Sequence, residues 1–125
     1  MNLTRSLLGL CLLSFSLLAS AEDMSFLLET TPNQRAESQT RFMANKLGLN
    51  GEALQKVQAI NQEYAEKVEP VLKGSAMGLV KKHQIDSLQS QKDDALRGIL
   101  NATQFDAYIN AKDELKQAMQ QDLKH

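Results

Sequence analysis

The chain has 125 residues with 14 basic and 15 acidic side chains, a formal net charge of −1. That length suits one domain. The charge balance does not fit the concentrated basic face of a nucleic-acid binder, and no polybasic segment is present to hold the chain on anionic lipid. There is no tryptophan, with four phenylalanines, two tyrosines and one cysteine. So thin an aromatic supply makes a small core less secure alone and favours assembly with a second copy.

In chain order, residues 1–21 read as a secretory signal peptide. Arg5 makes the start positive, Ser6 to Leu18 is leucine-rich and apolar, and Ala19-Ser20-Ala21 offers a small-residue cleavage site before Glu22-Asp23. The apolar run falls short of the roughly 20 residues needed to span a bilayer. Cys11 lies inside that run rather than after it, which argues against lipidation. Cleavage after Ala21 would place the protein in the periplasm, leave no stable membrane insertion, and remove the sole thiol. No disulfide or cysteine metal site would then be available.

Residues 22–30 are an apolar and acidic lead, expected to be mobile. Residues 31–125 are expected to form a single helical domain. Thr31-Pro32-Asn33-Gln34 starts its first helix: Thr31 can cap, Pro32 suits the first helical position, and Gln34 completes a capping box. Gly48 is the expected left-handed stop after Leu47. Asn50 should cap the second helix, whose stripe is Leu54, Val57, Ile60, Tyr64, Val68 and Val71. Pro70 removes a helix donor, so a kink is expected near Glu66 to Glu69, and Gly74-Ser75 should end the helix. A third helix is expected from Ala76 to Ile99, with a polar middle. A fourth should run from Asn101 almost to the end, burying Phe105, Tyr108, Ile109, Leu115, Met119 and Leu123.

Two helix starts share one pattern. Leu100-Asn101-Ala102-Thr103-Gln104-Phe105 pairs a cap at Asn101 with a capping-box Gln104, and Leu100 with Phe105 makes a hydrophobic staple. Leu49-Asn50-Gly51-Glu52-Ala53-Leu54 keeps the staple as Leu49 with Leu54, but Ala53 stands where the glutamine would be. Such a unit clamps the angle between consecutive helices.

A Leu-cap-x-x-Gln unit at Leu100 to Gln104, with a partial copy about 50 residues earlier at Leu49 to Ala53, in a small exported helical chain resembles the LTXXQ-motif family of Spy/CpxP-like periplasmic proteins. The resemblance spans about residues 38–120 and includes Val57 to Ala65. It implies an all-α, four-helix, hairpin-like extended domain that can pair as an antiparallel homodimer. It also implies ATP-independent suppression of aggregation, with unfolded or partly folded envelope proteins as clients. A second role is implied for some members, a regulatory adaptor that binds the periplasmic domain of an envelope-stress sensor kinase. This sequence departs from the pattern in having Asn rather than Thr at both caps, in Ala53 in place of the first glutamine, so that only Leu100 to Gln104 matches closely, and in its slightly negative charge where a cradle for clients is expected to be basic.

Phe42, Met43, Met77 and Val80 are the candidate client-binding residues, since flexible thioethers and nearby apolar groups suit surfaces with many partners. His83 and Asp86, three residues apart, are the one pair with ligand-like spacing, and His125 stands alone. Two ligands seldom close a metal site, so a metal-sensing role is the weakest reading, and no cofactor is expected. Asp93-Asp94 and Asp113-Glu114 are neighbours whose side chains diverge on a helix, unsuited to paired acid–base chemistry. Without a mature cysteine, a nucleophile elbow or a phosphate-binding glycine loop, no enzymatic activity is expected.

Overall fold

A computed structural model describes residues 21–124. The expected signal peptide lies outside the described residues except for Ala21, and so does His125. The described chain is all-α. Its helices are α1 (Ala21–Glu29), α2 (Pro32–Leu47), α3 (Gly51–Lys73), α4 (Gly78–Arg97), α5 (Ala102–Asn110) and α6 (Lys112–Asp122).

The start of α2 follows its sequence. The Gln34 N–H donates to Thr31 Oγ1 at 3.1 Å, and the Thr31 N–H donates to Gln34 Oε1 at 2.9 Å. At its far end Gly48 takes φ 67°, where an L side chain would be strained. The Gly48 N–H bonds to the Ala44 carbonyl, and the Leu49 N–H reaches the same oxygen at 3.0 Å. That last bond is a Schellman-type closure, and it turns Leu49 into the core.

α2 and α3 form an antiparallel pair, marked by Arg35 meeting Glu69 near one end and Thr40 meeting Asn61 in the middle. α3 continues as one helix through Pro70 to Lys73 and gives way at Gly74, as expected. α4 returns along α3, and Lys81 Nζ donates to the Leu72 carbonyl at 2.9 Å beside the turn. α5 and α6 then run back along α2, tied by Lys46–Glu114 at 2.8 Å and by the Arg41–Asp122 pair.

The core joins Met43, Leu49, Val57, Leu96, Leu100, Phe105, Tyr108, Leu115 and Met119, so it draws on every helix from α2 to α6. Phe26 of α1 packs against it.

Several expectations need correction. The lead of residues 22–30, expected to be mobile, is mostly helix α1. The buried Arg35 guanidinium holds it, donating to the Leu27 carbonyl at 2.9 Å and the Thr30 carbonyl at 2.7 Å, while its other nitrogen reaches Glu69 at 2.6 Å. The expected single fourth helix is two. At Ala111 (φ −98°, ψ 7°) the N–H is shared between the Ala107 and Tyr108 carbonyls, which interrupts the helical ladder. The buried side of α3 is Val57, Asn61, Val68 and Leu72. That stripe is turned from the expected one, and a polar residue sits in its middle.

Candidate functional site

The two Leu-cap corners lie at the same end of the molecule, because α3 and α4 are antiparallel and each corner joins the outer end of one of them. Leu49, Leu100 and Phe105 share the core there, with Leu54 packed against it. At the later corner the Gln104 N–H donates to Asn101 Oδ1 at 2.7 Å and the Asn101 N–H to Gln104 Oε1 at 3.2 Å. Gln104 Nε2 also reaches the Leu47 carbonyl, the last of α2, at 3.4 Å, a weak bond at that length. One glutamine therefore serves both corners. The Arg97 guanidinium lies 4.7 Å from the centre of the Phe105 ring and covers the staple.

The earlier corner departs from expectation. Asn50 supplies the capping backbone, but its side chain makes no cap bond. Gly51 takes φ 56°, so the chain enters α3 along a different path from the one by which it enters α5. The staple leucines are in place without the cap.

In the last third of α4, two consecutive residues tie it to its neighbours. Lys92 is 3% exposed, and its Nζ donates to Gln39 Oε1 of α2 at 2.8 Å. Burial pushes its ammonium down from the ordinary 10.5 to about 8, with Asp93 opposing the shift and Lys112 adding to it. Asp93 accepts from the Tyr108 hydroxyl at 2.7 Å and also pairs with Lys112, so it grips both sides of the α5–α6 break. Burial, with the Asp93 carboxylate beside it, drives the Tyr108 phenol well above its usual range. These groups are close-packed and fastened to one another. They face no cavity and have the character of structural fastenings.

The opposite end is different. Residues 73–80 are all exposed. Met77 is 78% exposed, Leu79 79% and Val80 47%, the highest apolar exposures in this turn. Lys82 pairs with Asp86 at 2.7 Å at its edge. An open concavity of about 450 Å³ adjoins it, lined by Leu79, Val80, Lys82, His83 and Asp86, all from α4. Among the described residues, no group of three or more His, Cys, Asp and Glu side chains could hold a metal ion, and no helix is long and apolar enough to cross a membrane.

The structure divides the four candidate client-binding residues. Met77 and Val80 are exposed together at the α3–α4 turn. Met43 is 1% exposed and belongs to the core, where its sulfur meets the Asn61 amide; this corrects its assignment to a surface. Phe42 is half-buried in a seam with Met43, Lys46, Leu47, Tyr108, Ala111 and Leu115 that leaves no room for a water molecule. It is not placed with Met77 and Val80. Sequence reasoning missed Leu79 as a surface residue. The available signal was its place directly after Gly78, in the first turn of a helix that follows a turn.

No curated protein and no solved structure matches the chain. The family described as a domain of unknown function (DUF4890) matches residues 27–108, a stretch that holds both corners and the exposed turn. That match covers most of the chain, which therefore belongs to the DUF4890 family.

Proposed function

We propose that this protein is an ATP-independent, chaperone-like protein of the periplasm, kin to the LTXXQ-motif proteins, that holds unfolded or partly folded envelope proteins on a helical surface. It works without catalytic chemistry. The observation that carries the reading is the exposed apolar turn of Met77, Leu79 and Val80, three neighbours in the chain, whereas the other exposed large apolar side chains among the described residues, Leu28 and Ile109, lie in separate helices. Scattered single apolar residues are normal on a surface, whereas a contiguous group at one end is what a binding site offers. Such a patch has no enclosing walls, so it would hold clients weakly and exchange them fast. The fastened corner end supplies rigidity, and the turn supplies contact.

In this reading the elongated unit is a four-helix hairpin, with α5 and α6 as its broken fourth member, and it pairs as an antiparallel homodimer. The test is light scattering of a chemically denatured client such as citrate synthase, diluted into the protein at several-fold molar excess. Suppression is expected, and the double variant Met77→Ser/Leu79→Ser should lose most of it while keeping its helical spectrum. Equal suppression by that variant, or none by the parent protein, would refute the reading.

The cations Lys81 and Lys82 beside the same turn give some support to a second reading, an adaptor that docks on an acidic sensor-kinase domain. Deleting the gene without any change in envelope-stress signalling would remove it.

A further inference from the structure

We propose that Asn50 is a site of spontaneous deamidation, where the earlier corner converts through its own backbone into an aspartyl or isoaspartyl form. The chemistry needs an asparagine whose side-chain amide is not held, a following residue that does not crowd a closing ring, and a backbone nitrogen there that is not already bonded. Asn50-Gly51 is the one Asn-Gly pair in the chain. Asn50 is exposed, with extended backbone (φ −150°, ψ 171°) and no side-chain cap bond. The Gly51 N–H is the first of α3, and helical geometry leaves it without a carbonyl partner. Gly51 takes φ 56°, where an L side chain would be strained, and it has no Cβ to obstruct the ring. The Leu54 N–H reaches the Asn50 carbonyl at 3.3 Å, a long bond, so the first turn of α3 is loosely closed.

The other asparagines among the described residues each lack one of these conditions. The nitrogen after Asn33 donates to Thr31 Oγ1, and Asn33 itself accepts from Gln62. The nitrogen after Asn110 is shared between the Ala107 and Tyr108 carbonyls. Asn45 and Asn61 lie inside α2 and α3, where the next amide belongs to the helical ladder, and Asn61 is fully buried. Asn101 is the close comparison, since it too caps a helix. Its Oδ1 is held by the Gln104 N–H at 2.7 Å, and the next residue, Ala102, carries a Cβ. The box that holds Asn101 is absent at Asn50.

In the reaction the Gly51 nitrogen gives its proton to solvent base and attacks Asn50 Cγ. The new N–C bond closes a succinimide, and the side-chain nitrogen leaves as ammonia with protons from water. Water then opens the ring at either carbonyl, so the sum is water consumed and ammonia released. Closure requires rotation about the Cα–C bond of Asn50, which ties the rate to fraying of the first turn of α3. One opening leaves an aspartate side chain at the N-cap, which the helix dipole favours. The other routes the main chain through Cβ and lengthens it by a methylene directly after Leu49. Leu49 is 7% exposed in the core, and its N–H is bonded to the Ala44 carbonyl at 3.0 Å. The isoaspartyl form must shift Leu49 or open the end of α2, so the corner loosens with the age of the molecule. None of this depends on what the protein binds.

Protein isolated from cells expressing the full chain is aged at body temperature in neutral and in mildly alkaline buffer, and peptide mapping by mass spectrometry follows each asparagine. Asn50 is expected to convert at least about tenfold faster than any other, a barrier difference of about 1.4 kcal/mol, and faster still in the alkaline buffer. Enzymatic methylation specific for isoaspartate should label the same peptide. Asn50→Gln keeps the amide but needs a larger ring, so it should abolish the label while leaving circular dichroism unchanged. The isoaspartyl form, separated by ion exchange, should melt at lower urea than Asn50→Asp. Conversion of another asparagine as fast as Asn50 would overturn the inference. So would an intact Asn50 after a time in which the urea-unfolded chain converts there. An isoaspartyl form as stable as Asn50→Asp would overturn the loosening of the corner.

Discussion

Replacing Lys92 with methionine should make the protein more stable. The side chain is 3% exposed, and its ammonium is held down from 10.5 to about 8, chiefly by desolvation. At neutral pH it remains charged, so the folded state carries a cost of about 3 kcal/mol relative to the unfolded chain. Methionine has similar length, fills the same channel between α2 and α4, and carries no charge. It forfeits the 2.8 Å bond to Gln39, whose half-buried amide can turn toward water, at about 1 kcal/mol. The expected net gain is about 1–2 kcal/mol, or roughly 5–10 °C in Tm for a domain of this size. The pH dependence supplies a second readout. Between about 8 and 10.5 the unfolded lysine keeps a proton that the folded one has lost. Stability of the parent protein should therefore rise with pH across that window, and this component of the rise should be absent in the variant. Urea melts followed by circular dichroism at several pH values measure both. A variant less stable than the parent, or one with the same slope across that window, would show that Lys92 is solvated or better paired than its burial implies.

Further outcomes follow from other contacts. Gln104→Ala removes a capping box and the bond to Leu47, and should cost about 1–2 kcal/mol in denaturant melts. Ala53→Gln, at the matching place in the other corner, should gain far less, since Asn50 makes no side-chain cap there. Met43→Ala should cost about 2–5 kcal/mol, whereas Met77→Ala should change stability by less than about 0.5 kcal/mol, which calorimetry would separate. Arg35 holds the Glu69 carboxyl below its ordinary 4.5. Its contribution is complete above that value and fades as pH falls through the lowered one, so Glu69→Gln should flatten acid unfolding in that range. Asn61→Leu should be neutral or stabilising, because Asn61 is fully buried with its Oδ1 unbonded.

Local chemistry by itself determined the helical class, the start of α2 at Thr31 and its stop at Gly48, the end of α3 at Gly74, and the capping box at Asn101. Each depends on residues within a few positions of one another, so no distant partner is needed to decide it. The candidate surface was half legible. Met77 and Val80 follow a glycine-rich turn, but Met43 has the same chemistry as Met77 and differs only in what lies opposite it.

Lys92 was in principle readable. It falls at the place where Leu88 and Leu96 continue a buried stripe, one turn to each side. A polar stretch is ordinarily solvated, and only α2 packing over it reverses that. Likewise, Arg35 captures the lead as α1 through carbonyls on that segment and a carboxylate on α3. The antiparallel return of α4 brings two corners far apart in the chain to one end and leaves the turn exposed at the other. Those outcomes belong to tertiary structure, because burial, desolvation and shared hydrogen bonds are set by which helices meet, and a local pattern of residues does not contain that meeting.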